Sequence, residues 1–306
     1  MQTTGTVGPY VSWHALTIAV LGGDEREQEI ARRAVATGAR VRVFGFPYPE
    51  EGIAGAQRAA SAREALNGAS IALLPIPGIA TDGSLFATEK IIPDEALLSV
   101  MKPGAHIILG RSEPNIRRAA AAVDIELHEY EQDHELMLLR APAIVEAVIK
   151  IIIENTAITL HGASLCVLGQ GNIGSVLTRT LVAMGGRVSV AARNPVQRAS
   201  AYTMGATPLT LEAMRDAAGS FDVLLSTAPV PSLVDRSVID RLPAHAVVID
   251  MTAPPGSCDL DYVRATGRKG IWARGLGRRA PITVGASQWI GIAKIINALL
   301  TGSKPA

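Results

Sequence analysis

Six consecutive residues near the middle of the chain, Gly169-Gln170-Gly171-Asn172-Ile173-Gly174, have the types and spacing to hold a diphosphate. They follow the apolar run Leu165-Cys166-Val167-Leu168, which reads as a buried strand, and they open a helical pattern. In such a G-x-G-x-x-G turn the first glycine permits the tight bend. The second lets the backbone approach a pyrophosphate. The third lets the helix pack on the strand, while the helix N-terminus faces the anion. A second strand, Arg187-Val188-Ser189-Val190-Ala191, follows the helix at the spacing of a dinucleotide-binding βαβ unit. The competing reading is a glycine-rich turn in an ordinary α/β protein.

The end of that second strand bears on which dinucleotide. A site for NAD(H) places Asp or Glu there to hold the ribose 2′-hydroxyl. This chain has Ala192-Arg193-Asn194-Pro195-Val196-Gln197-Arg198. Asn194 reads as an N-cap and Pro195 as the first helical residue. Arg193 and, one turn on, Arg198 then offer guanidinium groups to a 2′-phosphate, so NADP(H) is expected over NAD(H). Solvated surface charge is the alternative for both. Thr227-Ala228-Pro229, after the strand Val223-Leu224-Leu225-Ser226, occupies the place where such folds pass the nicotinamide, or is a structural turn.

The rest of the chain must position these groups. Its 306 residues suffice for two domains, and 48% are apolar, so sizeable cores and a contact between copies are expected. Net charge is +1, with no basic block interleaved with aromatics, which argues against nucleic acid. Two cysteines, Cys166 and Cys258, give neither a disulfide framework nor metal spacing, as in a reducing cytoplasm. No signal peptide is read at the start, and the most apolar helix, near 143–159, carries Glu146, Lys150 and Glu154, so no membrane span is expected. The six histidines lie mostly in strands or at joins and read as structural, and no metal site is expected.

The two halves open alike. Leu16-Thr17-Ile18-Ala19-Val20-Leu21-Gly22-Gly23-Asp24 parallels Ala163 to Gly171, each a strand ending in Val-Leu-Gly and entering a helix. Strands at 40–44, 70–74 and 105–109 alternate with helices near 25–37, 93–101 and 114–123. In the second half, strands near 187–191, 222–226, 246–250 and 270–273 do the same. This pattern predicts an α/β protein with two Rossmann-like, doubly wound parallel-sheet domains joined by crossing helices, and a cleft between them. The expected division is an extension over 1–15, an N-terminal domain over 16–141, a linker helix over 142–161, a dinucleotide domain over 162–283 and, at 284–306, a helix packing back on the first domain. The first half lacks the full glycine fingerprint, and Asp24 and Glu25 would repel a diphosphate. It is therefore read as a nucleotide-binding shape that holds substrate.

Taken together, these residues resemble the family of dipicolinate synthase A subunits from spore-forming bacteria, over about residues 16–300. The resemblance rests on Gly22-Gly23-Asp24 with Arg26-Glu27-Gln28-Glu29, on the junction Pro142-Ala143-Ile144-Val145-Glu146, and on Thr159-Leu160-His161-Gly162 through Gly171. It rests also on Ala191-Ala192-Arg193, on Asp250-Met251-Thr252-Ala253-Pro254-Pro255-Gly256, and on Gly275-Leu276-Gly277. The chain departs from the family pattern at Gly277, where a proline is lost, and in the loop Pro75–Gly83. The resemblance implies NADP-dependent oxidation of dihydrodipicolinate, or its hydroxytetrahydro form, to dipicolinate for sporulation. It also implies a flavoprotein partner, the B subunit of the same enzyme.

Oxidation to an aromatic pyridine supplies its own driving force, so the protein must chiefly orient the ring and relay a proton. A dicarboxylate calls for cationic or N–H partners. Arg111, with Gly110 and Ser112 beside it, follows a strand end and is the expected clamp, with Arg140 a further candidate. Gly23 and Asp24 offer a turn. Glu146 is the candidate base or a solvated helix carboxylate, and Asp250 orients a water or caps a loop. The rival reading, a 2-hydroxyacid dehydrogenase, wants a His–acid pair near the last strand, and Ile271–Ser287 contains no histidine. A second rival is a non-catalytic NADP-binding scaffold for the flavoprotein.

Overall fold

The computed structural model describes residues 13–302. Two compact units emerge, one from residues 13–136 with 280–302, the other from 137–279. In the first unit, β1 (Thr17–Leu21), β2 (Arg40–Phe44), β3 (Ala56–Arg58), β4 (Ile71–Leu73), β5 (His106–Leu109) and β6 (Glu126–Glu129) form one sheet. Its order is β3-β2-β1-β4-β5-β6, every neighbouring pair parallel. Helices α1 (Glu25–Ala36), α2 (Ala62–Leu66), α3 (Glu95–Leu98) and α4 (Pro114–Ala122) make the crossovers.

After α5 (His134–Asn155) the second unit repeats the plan. Its strands are β7 (Ser164–Leu168), β8 (Arg187–Ala191), β9 (Thr207–Leu209), β10 (Val223–Ser226), β11 (Val247–Asp250) and β12 (Lys269–Trp272). They are ordered β12-β11-β10-β7-β8-β9 and are again all parallel. Helices α6 (Asn172–Ala183), α7 (Pro195–Thr203), α8 (Leu211–Ala217), α9 (Arg236–Ile239) and α10 (Leu260–Ala265) connect them. The chain ends in α11 (Pro281–Thr301), which belongs to the first unit.

The central strands are apolar runs because helices cover both faces. β7, β10 and β11 are buried almost throughout, with Leu165, Val167, Val223, Leu225, Val247 and Ile249 in one cluster and Cys166, Leu168, Leu224 and Val248 in the other. Val145, Val148 and Ile152 of α5 join the first of these clusters. In the first unit α11 lies against α1 so closely that a Cβ on Gly285 would meet the Arg26 carbonyl oxygen at 2.6 Å. Trp13 stacks near Trp289, with ring centroids 5.5 Å apart, and its indole N–H donates to Asn297 at 3.1 Å. α11 is long and apolar enough to cross a membrane by length and composition, yet half of that stretch is buried within the protein.

Several elements differ from the sequence expectation. β3, β6 and β9 are short strands at or beside the sheet edges that no hydropathy pattern announces: their sequences are Ala-Gln-Arg, Glu-Leu-His-Glu and Thr-Pro-Leu. Pro208 is tolerated because β9 is an edge strand. Helix α5 runs from His134 to Asn155 rather than over 142–161, and carries Pro142 in its interior. The last helix starts at Pro281.

Candidate functional site

The strand order reverses beside β7, between β8 and β10, and open α/β sheets bind ligands at the carboxyl ends of strands at such a point. A groove of about 760 Å³ opens there in the second unit. Its walls are the ends of β7 (Gly169–Gly171), β8 (Ala191–Asn194) and β10 (Thr227–Val230). None of its lining residues is a carboxylate.

The three glycines have different reasons to be glycine. Gly169 sits at φ +93°, and an added Cβ would meet the Thr227 hydroxyl at 2.9 Å. Thr227 itself is tied to the turn: its Oγ1 donates to the carbonyls of Leu168 (3.0 Å) and Gly169 (3.2 Å). A Cβ on Gly174 would lie 2.2 Å from the Gly169 carbonyl oxygen, so the α6–β7 approach requires its absence. Gly171 is different. Its backbone is extended, at φ −82° and ψ −161°, and a Cβ would enter open space with nothing within 4 Å. The folded chain does not need glycine there, whereas an anion lying on the backbone does.

Gly171 is also the N-cap of α6 and makes no side-chain cap, and the first turn of α6 holds no acid. The positive end of a three-turn helix is thus left to whatever enters the groove. Asn172 and Ile173 form that first turn. Gln170 points inward: its Oε1 accepts from Thr178 at 2.9 Å and its amide N–H faces Met204 sulfur at 3.4 Å. It therefore packs under the turn.

Arg193 is exposed and lines the groove beside Asn194, whose side chain caps α7 by accepting from Val196 N–H at 2.8 Å. Arg198 faces the other way, donating to the carbonyls of Ala192 (2.8 Å) and Arg193 (2.7 Å). It fixes the loop that presents Arg193. Ala228 and exposed Pro229 complete the β10 side.

The two candidate acids of this unit occupy different settings. Asp250 is fully buried at the end of β11. Its Oδ1 accepts from the Thr252 N–H and hydroxyl (2.9 and 2.7 Å). Its Oδ2 accepts from the Ser257 N–H and hydroxyl and the Cys258 N–H (2.6, 3.1 and 2.9 Å). Desolvation pushes its pKa up, but these donors outweigh it and hold the carboxyl below its ordinary range. That is the setting of a loop organiser. Glu146 stands exposed on α5, ion-paired with Arg279, and is not part of the groove lining.

In the first unit the corresponding helix start is closed. Asp24 is the N-cap of α1 and, with Glu27, forms a full capping box. The N–H groups of the turn are engaged: Gly22 with Phe44 O (2.8 Å), Gly23 with Phe86 O (2.6 Å) and Asp24 with Glu27 (2.7 Å). Buried Arg26 makes a two-point ion pair with Asp24, both contacts 2.7 Å. Gly23 and Asp24 thus have their hydrogen-bonding groups committed within the protein.

Glu27 was not singled out from sequence, although Asp24-x-x-Glu27 is a capping-box signal. Its carboxylate also accepts from Ile76 N–H at 2.7 Å, and burial raises its pKa to about 7 against the opposing pull of its backbone donors. At the ends of β5 and β6, Ser112 is buried and donates to Glu129 through both N–H (3.2 Å) and hydroxyl, and Arg117 reaches the same oxygen at 2.6 Å. Gly110 precedes exposed Arg111 at this end of the sheet.

A further cluster, which spacing along the chain does not announce, lies along the β5–β6 pairing. His106, Glu126 and His128, distant in the chain, come together there. Desolvation lowers the His128 pKa, with Glu126 opposing and His106 assisting.

Residues 17–131 match the profile of the N-terminal domain of the dipicolinate synthase A subunit. The chain is 27% identical over 274 residues to the dipicolinate synthase A subunit of Bacillus subtilis (strain 168), covering 88% of this chain and 92% of that one. It superposes on the crystal structure of the dipicolinate synthase A subunit from Bacillus halodurans with a TM-score of 0.83 at 26% identity, covering 91% and 97% of the two chains. An L-alanine dehydrogenase shares the fold, with a TM-score of 0.63 at 16% identity and 91% and 90% coverage.

Proposed function

The chain belongs to the family of dipicolinate synthase A subunits, and from that premise we propose that it is the NADP-binding subunit of a dipicolinate synthase. Its reaction is the oxidation of dihydrodipicolinate, or of the hydroxytetrahydro form after loss of water, to the aromatic dicarboxylate. When bound, NADP⁺ supplies the hydride acceptor, and one proton is released. A flavoprotein second subunit works with it, in the cytoplasm, and the chain self-associates.

The observation that carries the cofactor reading is Gly171: it is the one glycine of the fingerprint that the folded protein has no steric need for. The uncapped α6 start beside it supports a pyrophosphate there, and the acid-free groove with exposed Arg193 supports a phosphorylated ribose over a plain one. The first unit, with its helix start closed, is left to the substrate. Arg111 at the end of β5 is the proposed carboxylate anchor. Asp250 holds the loop after β11 and Glu146 is the remaining proton-acceptor candidate.

The experiment has two readouts. NADPH binding is followed by fluorescence for the wild type and Gly171→Val. Turnover is followed by nicotinamide and pyridine absorbance with freshly generated dihydrodipicolinate, with and without the flavoprotein. Gly171→Val is expected to fold as the wild type and to lose NADPH affinity at least tenfold. Undiminished affinity places the cofactor elsewhere. Binding without turnover in either mixture leaves a scaffold role, and turnover of a 2-hydroxy acid instead of the dicarboxylate returns the dehydrogenase reading.

A further inference from the structure

β5 and β6 are parallel neighbours, with His106 opposite Glu126 and Ile108 opposite His128. Side chains alternate along a strand, so 106, 126 and 128 all project from one face. Ile107, Leu109 and Leu127 project from the other, into the apolar cluster of the first unit. Two backbone ladders, rather than a loop, therefore fix the three side chains together.

Their facing atoms form a small triangle. His106 Nδ1 lies 3.1 Å from His128 Nε2 and 3.6 Å from Glu126 Oε2, and His128 Nε2 lies 3.9 Å from the same oxygen. A point equidistant from these three atoms lies about 2.1 Å from each, the bond length of Zn²⁺ to imidazole nitrogen and carboxylate oxygen. His128 is buried, His106 partly so, and Glu126 is exposed, so an ion can enter from the Glu126 side and keep a water.

We propose that His106, Glu126 and His128 form a binding site for a divalent transition-metal ion of the zinc type. Two imidazoles and one carboxylate favour Zn²⁺, Co²⁺ or Ni²⁺, whereas Ca²⁺ and Mg²⁺ call for oxygen ligands throughout. His106 and Glu126 open their strands and His128 is the third residue of β6, so the three side chains bridge the β5–β6 pairing itself. The ion therefore serves structure, pinning the edge strand β6 to β5. It does not depend on the dinucleotide reading of the second unit.

The test uses the full chain, stripped with chelator and exchanged into metal-free buffer. Zn²⁺ titration by calorimetry is expected to show one equivalent binding with micromolar or tighter affinity and to raise the melting temperature. Co²⁺ is expected to give visible d–d absorption of a nitrogen- and oxygen-ligated ion. His106→Ala, at a partly buried position, and Glu126→Ala, at an exposed one, are expected to weaken Zn²⁺ binding at least tenfold and to abolish the thermal shift. Ring ¹⁵N NMR of the wild type is a second measure: with Zn²⁺, His106 Nδ1 and His128 Nε2 are both expected to be unprotonated and metal-bound, where without it they share one proton in an N–H···N bond. The proposal is overturned if the wild type takes up no Zn²⁺ at 100-fold molar excess, if the two variants bind as the wild type does, or if the ring shifts of these histidines do not move.

Discussion

Arg193 and Arg198 show how two like residues one turn apart divide a task. Arg198 satisfies two loop carbonyls, and Arg193 is left exposed at the groove. A charge-assisted hydrogen bond to a 2′-phosphate contributes roughly 1.5–3 kcal/mol, a preference of about tenfold to a hundredfold. Arg193→Ala is expected to lose that preference in parallel NADPH and NADH titrations; an unchanged ratio makes Arg193 a surface charge.

Glu27 carries a pH dependence of opposite sign to that of a salt-bridged carboxylate. Burial raises its pKa in the folded chain from 4.5 to about 7, so between those values the native state holds a proton that the unfolded chain has released. Its contribution to stability is greatest below pH 4.5 and is lost as pH rises to about 7, by about 3 kcal/mol for the full shift. Subtracting the unfolding free energy of Glu27→Gln, measured in urea at pH 5 and pH 8, isolates the effect. The wild type is expected to lose more stability than the variant across that interval, and equal losses refute the assignment.

At the scale of elements, the loop from Thr252 to Cys258 is organised by a single carboxylate. Replacing Asp250 by Ala leaves three backbone N–H groups and the Thr252 hydroxyl without their acceptor in a buried place, while the Ser257 hydroxyl keeps the Ser226 hydroxyl oxygen at 2.7 Å. A cost of at least about 3 kcal/mol is expected, since each bond to a charged group contributes roughly 1.5–3 kcal/mol and the set is not additive. Urea unfolding measures it, and a loss below about 1 kcal/mol would show that the loop holds without Asp250. The helix starts at the ends of β1 and β7 make the complementary contrast. α1 is closed by Asp24, Glu27 and Arg26, whereas α6 starts at a bare glycine.

For the whole molecule that contrast fixes a stoichiometry. Both units have the same strand order, but only the second pairs it with an open helix start. Calorimetric titration is expected to give one NADP(H) per chain, and a value of two would make the first unit a second dinucleotide site.

The long apolar strands, the glycine fingerprint and the N-cap of α7 were legible in the sequence because each is a local pattern. β1, β2, β7 and β8 need only a run of apolar residues, and Gly169 to Gly174 need only a turn. Short edge strands such as β3 and β9 form because a neighbouring strand offers unpaired backbone groups, and three-residue segments carry no period of their own. The fates of Asp250, Arg198 and Gln170 likewise depend on partners that the fold supplies. Nor does spacing along the chain say that His106 and His128 meet. Their contact follows from the parallel register of β5 and β6, which long-range packing sets. Local sequence determined which segments became strands and which turn was left open; only the tertiary structure decided which polar groups were consumed in holding that turn and which remained for a ligand, because hydrogen-bond partners are assigned in space and not along the chain.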